Sequence, residues 1–392
     1  MTANSSTDSV QSWNIHEVGH TDLGGHGDCM HVNVVGDYAF VGHMGGDRVG
    51  TSIVDVSDIS DPRVVAQIET PVGTHSHKVQ VVDDLLLVNH EKNPAEPAST
   101  EWSAGLKLYD VSNPRCPKEV GFFATPGKGV HRMTYWEPPY AWMSGSGAGY
   151  LDQFLIVADL SDPANPVEVG RWSYPGMNVG AGEVRTWPED RRYANHHALI
   201  RGNRAYATWW DAGLMILDVS DVTDPRLVKH LPFDSAVSGA THTAMPLPGR
   251  EILIVTDECV EDVGTGIQKH VRVVDISDET NPTVLSTFPV PNGDFAIPGG
   301  RFGPHNIHEM RPGSYQSSSR IHLTYFSAGL RIVDVADPLA PREVAYYVPA
   351  AAPGASSIQL NDLTVTADGT IFVTDRAGGG LYILQDDLPT NG

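Results

Sequence analysis

One pattern of apolar and polar residues recurs along the chain. Each copy has a run of apolar and β-branched residues ending in aspartate, then one or two prolines, then an alternating stretch. The apolar run predicts a strand buried on both faces, the prolines predict a turn, and the alternating stretch predicts an exposed edge strand. The complete copies are TSIVDVSDISDPRVVAQI from Thr51, LKLYDVSNPRCPKEVGFF from Leu106, FLIVADLSDPANPVEVGRW from Phe154, LMILDVSDVTDPRLVKHL from Leu214, VRVVDISDETNPTVLSTF from Val271 and LRIVDVADPLAPREVAYY from Leu330; a shortened copy begins LYILQ at Leu381.

The spacing of the copies predicts the fold. The aspartates that end the apolar runs are 49 to 59 residues apart, the length of a four-stranded unit with generous loops. Two further strands precede each copy; in the fourth unit they are 197–202 and 204–210, joined by a Gly-Asn turn. Seven such units predict an all-β chain in which residues 1–392 form a single seven-bladed β-propeller. Two separate β-sandwiches are the alternative, but they would not require so regular a repeat.

The two ends of the chain predict how the ring closes. The last copy stops before its outer strand, and residues 14–20 (NIHEVGH) form an orphan strand ahead of the first unit. We expect this strand to complete the seventh blade, because an open ring would leave two unpaired edges. Residues 1–13 are expected to be a flexible N-terminus. The long insertion at 172–195 is a candidate lid over the channel, since loops of this length are often functional.

The repeated phrase resembles the LVIVD repeat, a family of bacterial propeller-type repeats, and the resemblance covers nearly the whole chain. The blocks GHTDLGGHGD, GVHR, PGM followed by AGE, THTAMPLP, GPHNIHEMRPGS and GGGLYIL resemble blocks shared by a subgroup of these proteins. The resemblance implies a propeller architecture and implies no particular reaction.

Charge and composition narrow the partners. The formal net charge of −22 disfavours nucleic acid and anionic membranes as partners, and no apolar run is long enough to cross a bilayer. The three cysteines (Cys29, Cys116 and Cys259) are scattered without CxxC spacing, which suits a reducing compartment. With no apolar signal segment in the first residues, we expect a cytoplasmic protein.

Histidines recur at the start of the innermost strand in six of the seven units. Because innermost strands line the channel and run in the same direction, equivalent positions predict a ring of imidazoles at one mouth. Imidazole is a common ligand of zinc, iron and copper, so this ring predicts a transition-metal site. The predicted metal ligands are His31, His77, His131, His197, His242 and His308; the seventh unit has Asn361 and Asp362 instead.

Other polar residues fall near the same mouth. His75 precedes His77 by two residues, and of the adjacent His196 and His197 we expect one to point inward. The second strand of each unit ends at this mouth with polar residues, which predicts a rim of carboxylates that orient imidazoles or act as acid and base. The predicted catalytic residues are Glu91, Asp211, Glu258, His305 and Glu309.

These residues predict a metal-dependent enzyme acting on a small organic substrate. An all-nitrogen set favours iron or copper and an oxidoreductase or oxygenase. A zinc- or manganese-dependent hydrolase or lyase with a channel histidine as base is an alternative. A non-catalytic propeller that binds a protein is another, because a repeat can copy a histidine without function. No P-loop, GxGxxG or GxSxG motif is found, so we expect no nucleotide cofactor.

Overall fold

Each sequence unit folds into one antiparallel sheet. A computed structural model describes residues 9–45, 48–97, 99–233, 239–261, 269–296 and 300–389. One 3₁₀ helix, Val179–Ala181, is found in these residues, and no helix among them is long and apolar enough to span a bilayer. The strands are β1 Gln11–Trp13, β2 Ile15–Thr21, β3 Cys29–Val35, β4 Tyr38–His43, β5 Val49–Asp55, β6 Arg63–Glu69, β7 Thr74–His75, β8 Val79–Val82, β9 Leu85–Lys92, β10 Gly105–Asp110, β11 Lys118–Ala124, β12 Val130–Thr134, β13 Tyr140–Gly145, β14 Phe154–Asp159, β15 Val167–Trp172, β16 His197–Arg201, β17 Arg204–Thr208, β18 Leu214–Asp218, β19 Arg226–Leu231, β20 Thr241–Pro246, β21 Ile252–Asp257, β22 Val271–Asp275, β23 Thr283–Thr287, β24 Arg320–Thr324, β25 Leu330–Asp334, β26 Arg342–Val348, β27 Leu360–Val365, β28 Ile371–Asp375 and β29 Gly380–Asp386.

Seven sheets form the ring, so the predicted all-β, seven-bladed propeller is confirmed. Blades 1 to 5 are β3–β6, β7–β11, β12–β15, β16–β19 and β20–β23 in chain order. Blade 6 contains β24–β26 and blade 7 contains β27–β29. The third strand of each blade, the LVIVD-like run, is buried, and apolar side chains of neighbouring blades form the core between the sheets.

The N-terminal segment closes the ring as predicted. β2 is the fourth strand of blade 7 and pairs with β29 from Ile15↔Asp386 to Thr21↔Leu381, one residue later than the predicted 14–20. Of the N-terminus expected to be flexible, residues 11–13 form β1, which adds a strand to β26 of blade 6. Residues 1–8 lie outside the described residues.

The innermost segment of blade 6 is irregular. Residues 305–308 lie beside β24, joined by the bridge Ile307↔Leu323 and by backbone hydrogen bonds from His305 to Thr324 and from His308 to His322. The segment facing the axis therefore begins at His305, whereas the sequence pattern predicts a start at His308.

Glycines in the outer strands let adjacent blades dock. A Cβ on Gly19 in β2 would lie 1.8 Å from the carbonyl oxygen of Ile59, in the proline turn of blade 1. Gly121 and Gly170 meet the turns of the next blades in the same way, at Pro163 and Val222. The glycine of the repeat is therefore a packing requirement between blades.

We predict that Gly19→Ala destabilises the protein by about 2–4 kcal/mol, because the methyl group must displace the backbone of blade 1 at the closing strand. Urea unfolding measures the change. His16→Ala, at an exposed position of the same strand, is the control and should stay within about 0.5 kcal/mol of wild type. Equal effects of the two substitutions would contradict this packing role.

Candidate functional site

The innermost strands carry one extra residue near one mouth of the channel. The register between first and second strands shifts at Met30, His131, His242 and Asn361, so that two residues oppose one. In blade 4, His196 donates its N–H to Thr208 while its neighbour pairs with the same residue. Bulges of this kind re-aim side chains. Two consecutive residues of each blade therefore approach the axis, one nearer the mouth than the other.

These pairs define two tiers. The mouth tier holds the first residue of each pair and the deep tier holds the second. The mouth tier is Met30, His77, His131, His196, His242, His305 and Asn361; the deep tier is His31, Lys78, Arg132, His197, Thr243, Asn306 and Asp362.

The mouth tier opens into a cavity of about 470 Å³. Residues at or just beyond the ends of the second strands form its rim, among them Met44, Glu91, Trp210, Glu258 and Arg376. From the deep tier, Lys78 also lines the cavity. The volume is that of a pocket for a small molecule.

Six imidazoles follow one another around the cavity. Their ring centroids are separated by 3.9 Å from His75 to His77, 5.0 Å to His131, 5.0 Å to His196, 3.9 Å to His242 and 4.5 Å to His305. Burial lowers the pKa of His75 to about 4, and burial likewise holds the pKa of His77, His196, His242 and His305 well below the usual range. Five of the six rings are therefore neutral, and each has a lone pair available.

Four of these rings are fixed by a hydrogen bond from Nδ1 to an oxygen of a neighbouring blade. His75 donates to the carbonyl of Met44 (3.1 Å), His131 to Oε2 of Glu91 (2.8 Å), His196 to the carbonyl of His242 (2.9 Å) and His305 to the carbonyl of Asn361 (2.5 Å). A carbonyl or carboxylate oxygen only accepts, so in each neutral ring the proton is on Nδ1 and the Nε2 lone pair is free. Ligating histidines are held in this way in metal sites.

The contact between His131 and His196 requires a cation. Their Nε2 atoms are 3.2 Å apart, and with both Nδ1 atoms donating, two lone pairs face each other. A shared proton or a metal ion removes that repulsion. The separation is also about that of two nitrogens bound to one ion at roughly 2.0–2.1 Å. These residues therefore fit a transition metal.

Two carboxylates complete the donor sets. Ligand atoms of His77, Glu91 and His131 lie within 4.8 Å of one another, as do those of His196, His242 and Glu258. Glu91 also accepts from Gln153 (2.8 Å), and Glu258 from Arg301 (2.7 Å). Each carboxylate is thus already oriented by a second side chain.

Two strained aromatic residues support the imidazoles. Trp210 and Phe326 both follow a second strand and both have a φ of 43°, a left-handed conformation that bulky residues rarely adopt. Trp210 lies edge-on to His196 at 5.6 Å, and Phe326 stacks on His305 at 4.7 Å. Strain of this kind persists where the surroundings impose it, commonly at functional sites.

The deep tier is a buried charge network. Arg132 donates to Oε1 of Glu309 and to Oδ1 of Asn306, both at 2.7 Å, and Gln80 donates to Oε2 of Glu309 at 3.4 Å. His197 accepts or donates at Oγ1 of Thr134 at 3.0 Å. Because these charges are paired inside the channel, this tier forms the floor of the cavity.

Comparisons with known proteins bear on the fold and the repeats. The family model described as the LVIVD repeat matches residues 26–70, 150–173, 197–231 and 267–289. The chain contains LVIVD repeats within its seven-bladed β-propeller. It is similar to the β-propeller domain of Cps50 (Swd1) from Myceliophteria thermophila, with 12% identity and a TM-score of 0.60 over 95% of this chain and 99% of that one. It is also similar to the computationally designed protein Ika8, with 9% identity and a TM-score of 0.52 over 94% and 98%.

These identities relate the LVIVD propeller to the two structures by fold alone. A search of the curated proteins found no match. The assignment of a function therefore depends on the geometry of the cavity.

The LVIVD propeller brings about half of the sequence-predicted site residues to the cavity. Predicted ligands His77, His131 and His242 line it, as do Glu91, Glu258 and His305. His31 and His197 lie in the deep tier, beside Asp362 and Thr134 respectively, and Glu309 lies with them. The displacement of His31 and His197 has one cause: the extra residue turns their mouth-side neighbours, Met30 and His196, toward the cavity.

Two predicted residues have structural partners elsewhere. Asp211 accepts from the backbone N–H groups of Arg192 (2.8 Å) and Ala240 (3.3 Å). His308 lies beside blade 7, where it bonds the carbonyl of Tyr315 at 3.0 Å and accepts from the N–H of Val365 at 3.2 Å.

Several cavity residues were not among the ligands or catalytic residues predicted from the sequence. His75 and His196 were second choices beside His77 and His197, and only the bulge decides between the adjacent pair. Lys78, Arg301 and Arg376 carried no signal as ligands. Lys78 follows His77 and Arg376 follows β28 at the same mouth, whereas Arg301 lies in the loop that precedes His305.

The insertion at 172–195 packs on blades 3 and 4. Trp187 stacks on Tyr193 at 5.0 Å, and Tyr174 packs near Trp209. Among the residues of this insertion, Arg192 lines the cavity, where it pairs with Asp152 at 2.9 Å. Its role as a lid stays a prediction.

The buried position of His308 beside blade 7 can be tested through the pH dependence of stability. Burial, with a smaller effect of His322, lowers its pKa to about 3. Below about pH 6.5 the imidazole of His308 binds a proton in the unfolded chain, whereas in the folded chain it stays neutral down to about pH 3. The free energy of unfolding therefore falls as the pH drops from about 6.5 toward 3. Between pH 7 and 5 the contribution is about 2 kcal/mol.

We predict that His308→Gln makes the loss of stability between pH 7 and 5 about 2 kcal/mol smaller than in wild type. Glutamine can keep both backbone hydrogen bonds but does not titrate. Urea unfolding of chelator-treated protein at the two pH values measures the difference. An unchanged pH dependence would contradict the buried, neutral state of His308.

Proposed function

We propose that the channel mouth of this LVIVD propeller binds a transition-metal ion and that the protein is a metal-dependent enzyme. The observation that carries the proposal is the pair of Nε2 atoms of His131 and His196, 3.2 Å apart with both Nδ1 atoms committed to oxygen acceptors. Neutral imidazoles held rigidly by separate strands are ligands of iron, copper and zinc.

The donor sets favour an oxidoreductase. Each of the two sets has two histidines and one carboxylate, the combination typical of non-haem iron sites with open positions for substrate and oxygen. The neighbouring cavity of about 470 Å³ has room for a small organic molecule. When bound, iron or copper would supply electron transfer; His131 and His196 would hold it together with a further donor of either set, and His305 would remain available to orient the substrate.

The closeness of the two sets favours a second candidate. Because His131 and His196 belong to different sets and touch each other, the mouth could hold two metal ions side by side. Two-metal sites are common in hydrolases, in which zinc or manganese activates a water. In that case a cavity histidine would act as base.

We predict that wild-type protein purified without a histidine tag and reconstituted takes up at least one equivalent of iron, copper, zinc or manganese. His131→Ala and His196→Ala should each weaken binding by more than the roughly 10–100-fold typical of losing an outer partner. Elemental analysis and calorimetric titration of chelator-treated protein measure stoichiometry and affinity.

His308→Gln is the matched control, because it changes a buried histidine outside the cavity and should keep wild-type affinity. Uptake below about one-tenth equivalent of every metal would overturn the proposal. A colourless protein that takes up zinc alone would replace the oxidoreductase by the hydrolase, and two equivalents would favour the two-metal site.

A further inference from the structure

The cavity is positively charged although the chain is acidic. The chain has a formal net charge of −22. Of the charged residues that line the cavity, six are lysine or arginine and two, Glu91 and Glu258, are glutamate. A concave site with positive local charge on a protein of negative net charge concentrates anions.

Lys78 is the deepest of these cations. It is 2% exposed, lines the cavity, and its ammonium makes no hydrogen bond or ion pair with the residues that the structure describes. Buried lysines are almost always paired, because an ammonium without a partner in the interior loses its hydration. The charged groups that act on it include Arg132, which is already paired with Glu309, the carboxylates of Asp362 and Glu258, and Arg376.

Two arginines are held side by side above it. Gln359 accepts from the backbone N–H of Arg301 at 2.9 Å through its side chain and from that of Arg376 at 3.1 Å through its carbonyl. Arg301 donates to Oε1 of Glu258 at 2.7 Å. Within the described chain Arg376 has no carboxylate partner and makes one long side-chain bond, to Oδ1 of Asn361 at 3.5 Å.

Three cations and one carboxylate thus meet beside His305. Glu258 neutralises one charge, since its Oε1 also lies 3.6 Å from Nε2 of His305. Lys78 and Arg376 form no ion pair with a carboxylate in the described residues, although Asp362 and Glu258 act on Lys78, and Glu258 and Asp375 on Arg376, from a longer distance. An oxyanion would supply the acceptor atoms that these two groups lack.

We infer that Lys78 and Arg376, with Arg301 beside them, form a subsite for the carboxylate or phosphate group of the substrate, next to His305 and the metal-binding histidines. As a statement about the substrate, this inference rests on the proposed metal-dependent activity. It makes the substrate a small organic anion whose charged end lies toward blades 2, 6 and 7. The reacting part of the molecule is then directed toward the His131–His196 contact.

The test is calorimetric titration of chelator-treated protein, in low-chloride buffer, with acetate and separately with inorganic phosphate. We expect wild type to bind at least one of them, and the tighter one identifies the group. Lys78→Met and Arg376→Gln should each weaken that binding at least about tenfold, because each removes a charge-assisted hydrogen bond. If Lys78→Met does not fold, the anion affinity of Arg376→Gln alone tests the inference.

Lys128→Met is the control, because it removes an exposed lysine from the same mouth and should leave binding within about twofold of wild type. Binding of neither anion, or equal losses in Lys128→Met and Arg376→Gln, would overturn the inference. The metal titration of the same variants separates the two proposals. If the protein binds an anion but takes up no metal, the anion subsite is supported and the metal-dependent enzyme is not. If it takes up metal but binds neither anion, the metal site is supported and the anion subsite is not.

Discussion

The site depends on one backbone constraint, the extra residue in the innermost strands where they reach the mouth. In a regular strand, consecutive side chains point to opposite faces, so one residue per blade would face the axis. The bulges at Met30, His131, His242 and Asn361 turn two consecutive residues toward it. A tier of imidazoles can then lie directly over a tier of paired charges.

The two tiers meet the cost of burial in different ways. The deep tier keeps its charges and pairs them, as Arg132 does with Glu309, because an isolated buried charge is far more costly than a paired one. In the mouth tier, burial lowers the pKa of rings such as His196 and His242, which stay neutral. Lys78 is intermediate, because burial lowers its pKa only to about 7 and no described residue forms an ion pair with it, and for this reason it is the most informative residue of the channel. Its surroundings are complete only with an anion.

The repeat predicted the fold and its closure because blade spacing and strand type are properties of the pattern itself. The position of individual side chains was harder to predict. A period of two cannot place both His196 and His197 on the axis, so the sequence favoured one, and the structure places His196 at the cavity and its neighbour below. His308 was misplaced for a related reason: the inner segment of blade 6 begins at His305 and is not a regular strand. From the sequence, Arg376 was visible only as a polar residue at a strand end and Arg301 not at all, since only the ring brings blades 6 and 7 beside blade 2.

The Nδ1 hydrogen bonds that fix four of the six cavity histidines cross from one blade to the next. His75 of blade 2 relies on blade 1, His131 on blade 2, His196 on blade 5 and His305 on blade 7. The aperture of the site is therefore a property of the blade number. An eighth repeat would widen the ring and separate His131 from His196, and a lost repeat would crowd them. Gain and loss of whole repeats, a common route of change in repeat proteins, is for this propeller a change in the chemistry of its centre.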